Sequence, residues 1–212
     1  MRTALIAGAT GLIGRQLLTL LLASDRYKKV IAFTRQDLPE HIKLTQVKIE
    51  RGKVGELDAG SHVDDVFCCL GTTMAKARTK EKFYYADFTL PSLLAKNSIP
   101  LGAKQYLLVS SLGAKKNSAI YYNHVKGEIE EEVSNMGFET VHIFRPSLLL
   151  GPRAEKRSAE DAAKFFYKIF GFLMPSKYKA IDSLKVARAM IHFASQDQRG
   201  NFIHESGELQ NF

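Results

Sequence analysis

The stretch TALIAGATGLIGRQLL, residues 3–18, decides the fold. Small and apolar residues run from Thr3 to Ala7 and meet three glycines spaced three apart, Gly8, Gly11 and Gly14, after which leucines recur at helical spacing. A strand that turns on glycine into a helix, with another β-rich run returning at Val30, is a βαβ unit. In such a unit the first glycine permits the tight turn, the middle one lets backbone approach a pyrophosphate, and the last brings helix against strand. The start of the helix offers free N–H groups and the positive end of its dipole to phosphates. Gly8, Thr10, Gly11, Leu12, Ile13 and Gly14 are therefore the residues expected to contact a dinucleotide. The alternative is a glycine turn that serves packing alone.

Beyond this unit, β-rich runs at 3–7, 30–34, 44–49, 66–70, 105–110 and 140–144 alternate with helical patterns at 12–22, 80–96 and 122–136. Alternation of this kind predicts an α/β fold, a Rossmann-like doubly wound parallel sheet with helices on both faces. VIAFT and VFCCL are almost continuously apolar, as strands covered on both sides must be. After Gly151 the pattern turns helical, with one helix over 159–173 and another capped by Asp182 or Ser183 and running to Ala194. This tail, 151–212, is read as a short segment on the substrate side of a single domain spanning 1–212.

Hydrophobic residues at 45% and charged residues at 25% suit a globular chain, and nothing repeats at a fixed period. No run approaches the roughly 20 apolar residues of a membrane span, and the short apolar run before Gly8 is no signal-peptide core. A cytoplasmic location is the expectation from these features. Cys68 and Cys69 are adjacent in an apolar run and read as core, and six histidines without paired spacing give no metal site. The net charge of +8 is scattered and accompanies no nucleic-acid motif, so a phosphate-bearing small ligand is the better match.

The end of the second strand selects the dinucleotide. NAD binders place an acid there for the ribose 2′-hydroxyl, whereas VIAFT is followed by Arg35 and Gln36, and a guanidinium suits a 2′-phosphate. NADP(H) is favoured over NAD(H) on this ground. Asp37 is the objection, because a shift of two residues restores an acid.

A second cluster lies in LLVSSLGAKKNSAIYYNHVKGEIEEEV. Tyr122 and Lys126 are four apart in a helical segment and share one face. Ser110 and Ser111 close the preceding strand on the edge where open α/β sheets bind ligands, and Ser111 is the one expected to face the site. A phenol is a poor base at neutral pH, but a neighbouring cation favours its phenolate. Tyr122 would then exchange a proton with a substrate oxygen while hydride moves at the adjacent carbon, with serine holding that oxygen and Lys126 near the nicotinamide ribose. Tyr121, without a lysine four residues on, is expected to face the core. The acidic run KGEIEEEV reads as a solvated helix face.

With these motifs in hand, the chain resembles the short-chain dehydrogenase/reductase superfamily in its extended and atypical branches. The GxxGxxG turn, VSS, YNHVK and FRPSLLLGPR fall in the order of that superfamily. More narrowly, VFCCLGTT, SSLGA and YYNHVKGEIE look like the Tat-interacting-protein branch, over nearly the whole chain. The resemblance implies an NADP(H)-binding Rossmann-like fold with Ser111, Tyr122 and Lys126 in the catalytic positions. It implies further that Leu70, Gly71 and Thr72 line the cofactor and that Pro146 contacts its nicotinamide end. Two features depart from the pattern: Lys48 stands where an acid often lies near the adenine, and the tail is short for a nucleotide-sugar epimerase.

The expected function is hydride transfer between NADP(H) and the carbonyl or alcohol of a small substrate. The alternatives are an NADP(H)-binding sensor without turnover, acting on a protein partner or as a homodimer, and an epimerase/dehydratase-like enzyme.

Overall fold

The computed structural model describes residues 1–49, 57, 60–151 and 178–212. The expected helix at 159–173, with its aromatic run from Phe165 to Phe172, lies outside the described residues.

The chain runs β1 (Arg2–Ala7), α1 (Leu12–Ala23), β2 (Tyr27–Thr34), β3 (Leu44–Lys48) and β4 (Asp65–Cys68). It continues through α2 (Met74–Ala77), α3 (Lys80–Tyr84), a π-helical turn (Tyr85–Thr89) and α4 (Leu90–Ser98) to β5 (Gln105–Val109), α5 (Tyr121–Ser134) and β6 (Thr140–Arg145). After β7 (Leu149–Leu150) the described residues resume with β8 (Ile181–Asp182), α6 (Ser183–Ala194), β9 (Gly200–Glu205) and α7 (Ser206–Leu209). Seven parallel strands form one sheet in the order β3-β2-β1-β4-β5-β6-β9, and β7 pairs with β8 in a second, small sheet.

Alternate residues of each strand build two cores, one on each face of the sheet. Ala4, Ile6 and Phe67 join Leu17 and Leu21 of α1 and Val186 and Met190 of α6. Leu5, Ala7, Val66 and Cys68 join Leu94 of α4 and Ile129 and Val133 of α5. Cys68 is buried and Cys69 half-buried, both as free thiols. Apolar strands buried on two faces are what a parallel sheet with crossover helices demands.

Three departures from the expected elements have physical causes. The helix expected over 80–96 is broken by the π-helical turn at Tyr85–Thr89, beside Pro91, which has no N–H to continue the ladder. The tail holds more than helices, because β9 closes the sheet against β6. As an edge strand β9 has little need of a continuous apolar run, and GNFIHE shows none. Asp182 rather than Ser183 caps α6, its carboxylate accepting the Leu184 N–H at 2.8 Å.

Candidate functional site

The order of strands reverses between β1 and β4, and the register there is level: Ala7 pairs with Phe33 on one side and with Cys68 on the other. Gly8, Thr34 and Cys69 therefore leave the sheet side by side, at the switch point where open α/β sheets take ligands. Gly8 has φ +85°, and a Cβ there would stand 2.4 Å from the Cys69 carbonyl oxygen. The Gly11 N–H donates to the Gly8 carbonyl at 2.9 Å, closing the turn. Gly11 is the N-cap of α1 and provides no side chain to it, and the first turn holds no acid. Thr10 and Gly11 are exposed, Leu12 is half-buried with its side chain close to Gly151, and Ile13 and Gly14 are buried. An open helix end with free N–H groups behind a glycine turn fits a pyrophosphate.

Thr34 ties the turn after β2, its hydroxyl donating to the Gln36 carbonyl at 2.6 Å. Arg35 is exposed at that end, without a hydrogen bond or ion pair among the described residues. Asp37, the acid that argued for NAD, is paired with Lys48 at the end of β3, and this contact holds its carboxyl below the usual carboxylate range.

Leu70, Gly71 and Thr72 follow β4 next to the Gly8 turn, with Leu70 and Thr72 half-buried and Gly71 exposed. Pro146 is buried just past β6, and its carbonyl accepts the Leu112 N–H at 2.9 Å, so Pro146 adjoins the segment after β5. The two serines at the end of β5 differ sharply. The Ser110 hydroxyl donates to Glu130 of α5, which also grips Arg145 at 2.6 Å and 3.0 Å. Ser111 Oγ is buried without a hydrogen-bond partner among the described residues. Glu130 is thus buried structure, unlike Glu131 and Glu132, which form the exposed ion pairs with Lys116 and Lys96 expected of a solvated face.

On α5, Tyr122 is half-buried with its ring 5.3 Å from that of Phe83. Tyr121 is half-buried too and, as expected, packs against the core cluster of Ala77, Phe83 and Val125, its ring 6.1 Å from that of Phe83, while its hydroxyl donates to the Lys80 carbonyl at 3.2 Å and the Lys80 ammonium lies 5.1 Å over its ring. Lys126 is buried, its Nζ 2.8 Å from Asp87 Oδ1 in the π-helical turn. Burial opposes the lysine charge, yet Asp87 and then Tyr122 outweigh it and raise the ammonium pKa above the ordinary lysine value. The second oxygen of Asp87 accepts the Thr72 N–H at 2.8 Å, so a single carboxylate joins Lys126 to the loop after β4. Asp87 escaped the sequence reading, although it is the one acid between Phe83 and Ser98.

This fold, with a glycine turn at its switch point, defines a Rossmann-like α/β protein of the short-chain dehydrogenase/reductase kind. The chain belongs to the NAD dependent epimerase/dehydratase family, whose pattern matches residues 4–170. Among curated relatives, Protein HTATIP2 of Rattus norvegicus is 33% identical over 196 residues, 90% of this chain and 80% of its own. That match agrees with the branch resemblance read from the motifs. Protein fmp52, mitochondrial, of Emericella nidulans is 35% identical over 179 residues, 81% of this chain and 77% of its own. In fold the chain is similar to MoeE5 in complex with UDP-glucose and NAD (TM-score 0.72, 17% identity, 98% of this chain and 79% of that one). It is also similar to the human epimerase family protein SDR39U1 with NADPH (TM-score 0.65, 16% identity, 97% and 77%). The relatives correct one expectation: the fmp52 proteins of several fungi are named as mitochondrial, which overturns the cytoplasmic placement. A short apolar run before Gly8 does not decide the compartment.

Proposed function

We propose that this chain is an NADP(H)-dependent oxidoreductase acting on the carbonyl or alcohol of a small substrate. The observation that carries it is the Ser111 hydroxyl, buried just past β5 and without a hydrogen-bond partner among the described residues; Tyr122 and Lys126 are read as its catalytic companions. A buried hydroxyl left without a partner is unfavourable unless a ligand completes it. The nicotinamide, when bound, supplies or accepts the hydride.

The rest of the work falls to side chains of this chain. Gly8, Thr10, Gly11, Leu12, Ile13 and Gly14 would hold the pyrophosphate, and Arg35 the 2′-phosphate. Leu70, Gly71, Thr72 and Pro146 would line the path to the nicotinamide. Ser111 Oγ donates a hydrogen bond to the substrate oxygen and fixes it next to the phenol. Tyr122 Oη gives a proton to that oxygen in reduction and takes one in oxidation. Lys126, paired with Asp87, stabilises the phenolate left behind and would hydrogen-bond the ribose of a bound nucleotide.

Calorimetric titration with NADPH and NADH, repeated on Arg35→Ala, tests the reading. NADPH binding that weakens selectively in the variant supports it, and absence of binding by either nucleotide refutes it. A nucleotide-sugar epimerase is the second reading, favoured by the family and by MoeE5, whose structure holds UDP-glucose and NAD. Conversion of a UDP-hexose to its epimer without net consumption of cofactor would select it.

A further inference from the structure

The pair formed by Asp87 and Lys126 is built with more care than a chance ion pair. Asp87 is fully buried, and a buried carboxylate is unfavourable unless it is paired and hydrogen-bonded. One oxygen, Oδ1, is ion-paired with Lys126 Nζ at 2.8 Å, a contact of charge and not of hydrogen-bond geometry, and the other accepts the Thr72 N–H at 2.8 Å. The π-helical turn at Tyr85–Thr89 presents it, and π turns of this kind recur at functional sites. Gly71 keeps the loop close, since a Cβ there would lie 3.2 Å from Asp87 Oδ1 and 3.4 Å from Lys126 Nζ.

We propose that Asp87 is a positioning residue: its carboxylate keeps Lys126 charged beside Tyr122 and, through the Thr72 amide, locks the proton-transfer helix to the loop after β4. The inference rests on the proposed role of Tyr122 and Lys126. The groups that face Lys126 are Asp87 from the π-helical turn, Tyr122 from its own helix and the buried Cys68 from β4. Glu130, one turn further along α5, is held by Ser110 and Arg145. Asp87 is therefore the carboxylate that offsets the burial of Lys126. Without it, desolvation drives the ammonium to release its proton at lower pH.

Lysine labelled with ¹³C and ¹⁵N gives a direct reading, with the Lys126 signals assigned by their loss in Lys126→Arg. In the wild type these signals stay in the ammonium position to higher pH than those of exposed lysines. In Asp87→Asn, which still accepts from the Thr72 N–H, their midpoint falls by at least about one pH unit. Asp87→Glu restores most of that fall, because it restores the charge. Equal midpoints in wild type and Asp87→Asn would overturn the proposal. Should Asp87→Asn fail to fold, adding Lys126→Met removes the stranded charge: recovery of folding supports the pairing, and no recovery overturns it. The titration needs neither cofactor nor substrate, so its failure is distinct from a failure of NADPH to bind.

Discussion

Gly14 lies so close to Gly8 that a Cβ on Gly14 would stand 2.1 Å from the Gly8 carbonyl oxygen. The first turn of α1 thus presses directly on the loop that leaves β1, and only a hydrogen fits between them. Gly14→Ala must push the helix away from the turn. The expected result is a loss of about 3 kcal/mol of stability, at the upper end of overpacking effects, together with loss of nucleotide binding. Urea unfolding read against calorimetry checks both. A stable variant that binds as the wild type does would remove the glycine cradle from the account.

Asp37 and Lys48 form an exposed pair beside Arg35, which is unpaired among the described residues. Replacing Asp37 by Asn removes an acid from the place where a 2′-phosphate is expected and releases Lys48 toward it. NADPH should then bind severalfold more tightly while NADH is unaffected. The gain should vanish in roughly 1 M salt, where screening acts within about 3 Å. An equal gain for both nucleotides would place the 2′-phosphate elsewhere.

Tyr122→Phe keeps the ring against Phe83 and deletes the phenol oxygen. Turnover should fall by roughly 10²–10⁴, the range of a positioned acid–base group, while NADPH affinity stays within about twofold. A parallel fall in Tyr121→Phe would point to packing rather than proton transfer, since the Tyr121 hydroxyl is occupied by the Lys80 carbonyl.

The architecture was legible because a parallel sheet covered on both faces leaves a plain trace, as in VIAFT and VFCCL. β9 left almost none, because GNFIHE forms the sheet edge and carries His204 inward where an aliphatic residue would have announced a strand. The site was legible as residue types and less so as partners. Nothing local separates Ser110 from Ser111; the separation comes from Glu130 of α5, which Ser110 meets only after folding and which Arg145 of β6 also holds. Asp87 was hidden for the same reason, since its partners, Thr72 and Lys126, are 15 and 39 residues away in the chain.

His142 and His204 make the acid limit of stability predictable. Their rings stack between β6 and β9, with His142 Nδ1 3.0 Å from His204 Nε2, while His142 Nε2 is buried without a partner among the described residues. Burial, and then the neighbouring His204, lower the His142 pKa to about 4, and burial lowers that of His204 despite Glu208 at 3.2 Å. An unfolded histidine takes up its proton near ~6.5. Between that pH and about 4 the unfolded chain binds a proton that folded His142 refuses, so stability is present in full above the window and is lost as pH falls through it. The slope from one such group is about 1.4 kcal/mol per pH unit. Asp65, raised to about 6 chiefly by burial, acts with the opposite sign between 3.8 and 6 and blunts the wild-type slope. The quantity to read is therefore the difference between wild type and His142→Leu in urea unfolding from pH 7 to pH 4. The variant should lose less stability than the wild type across that range, and identical slopes would mean that the buried pair takes up its proton as readily folded as unfolded.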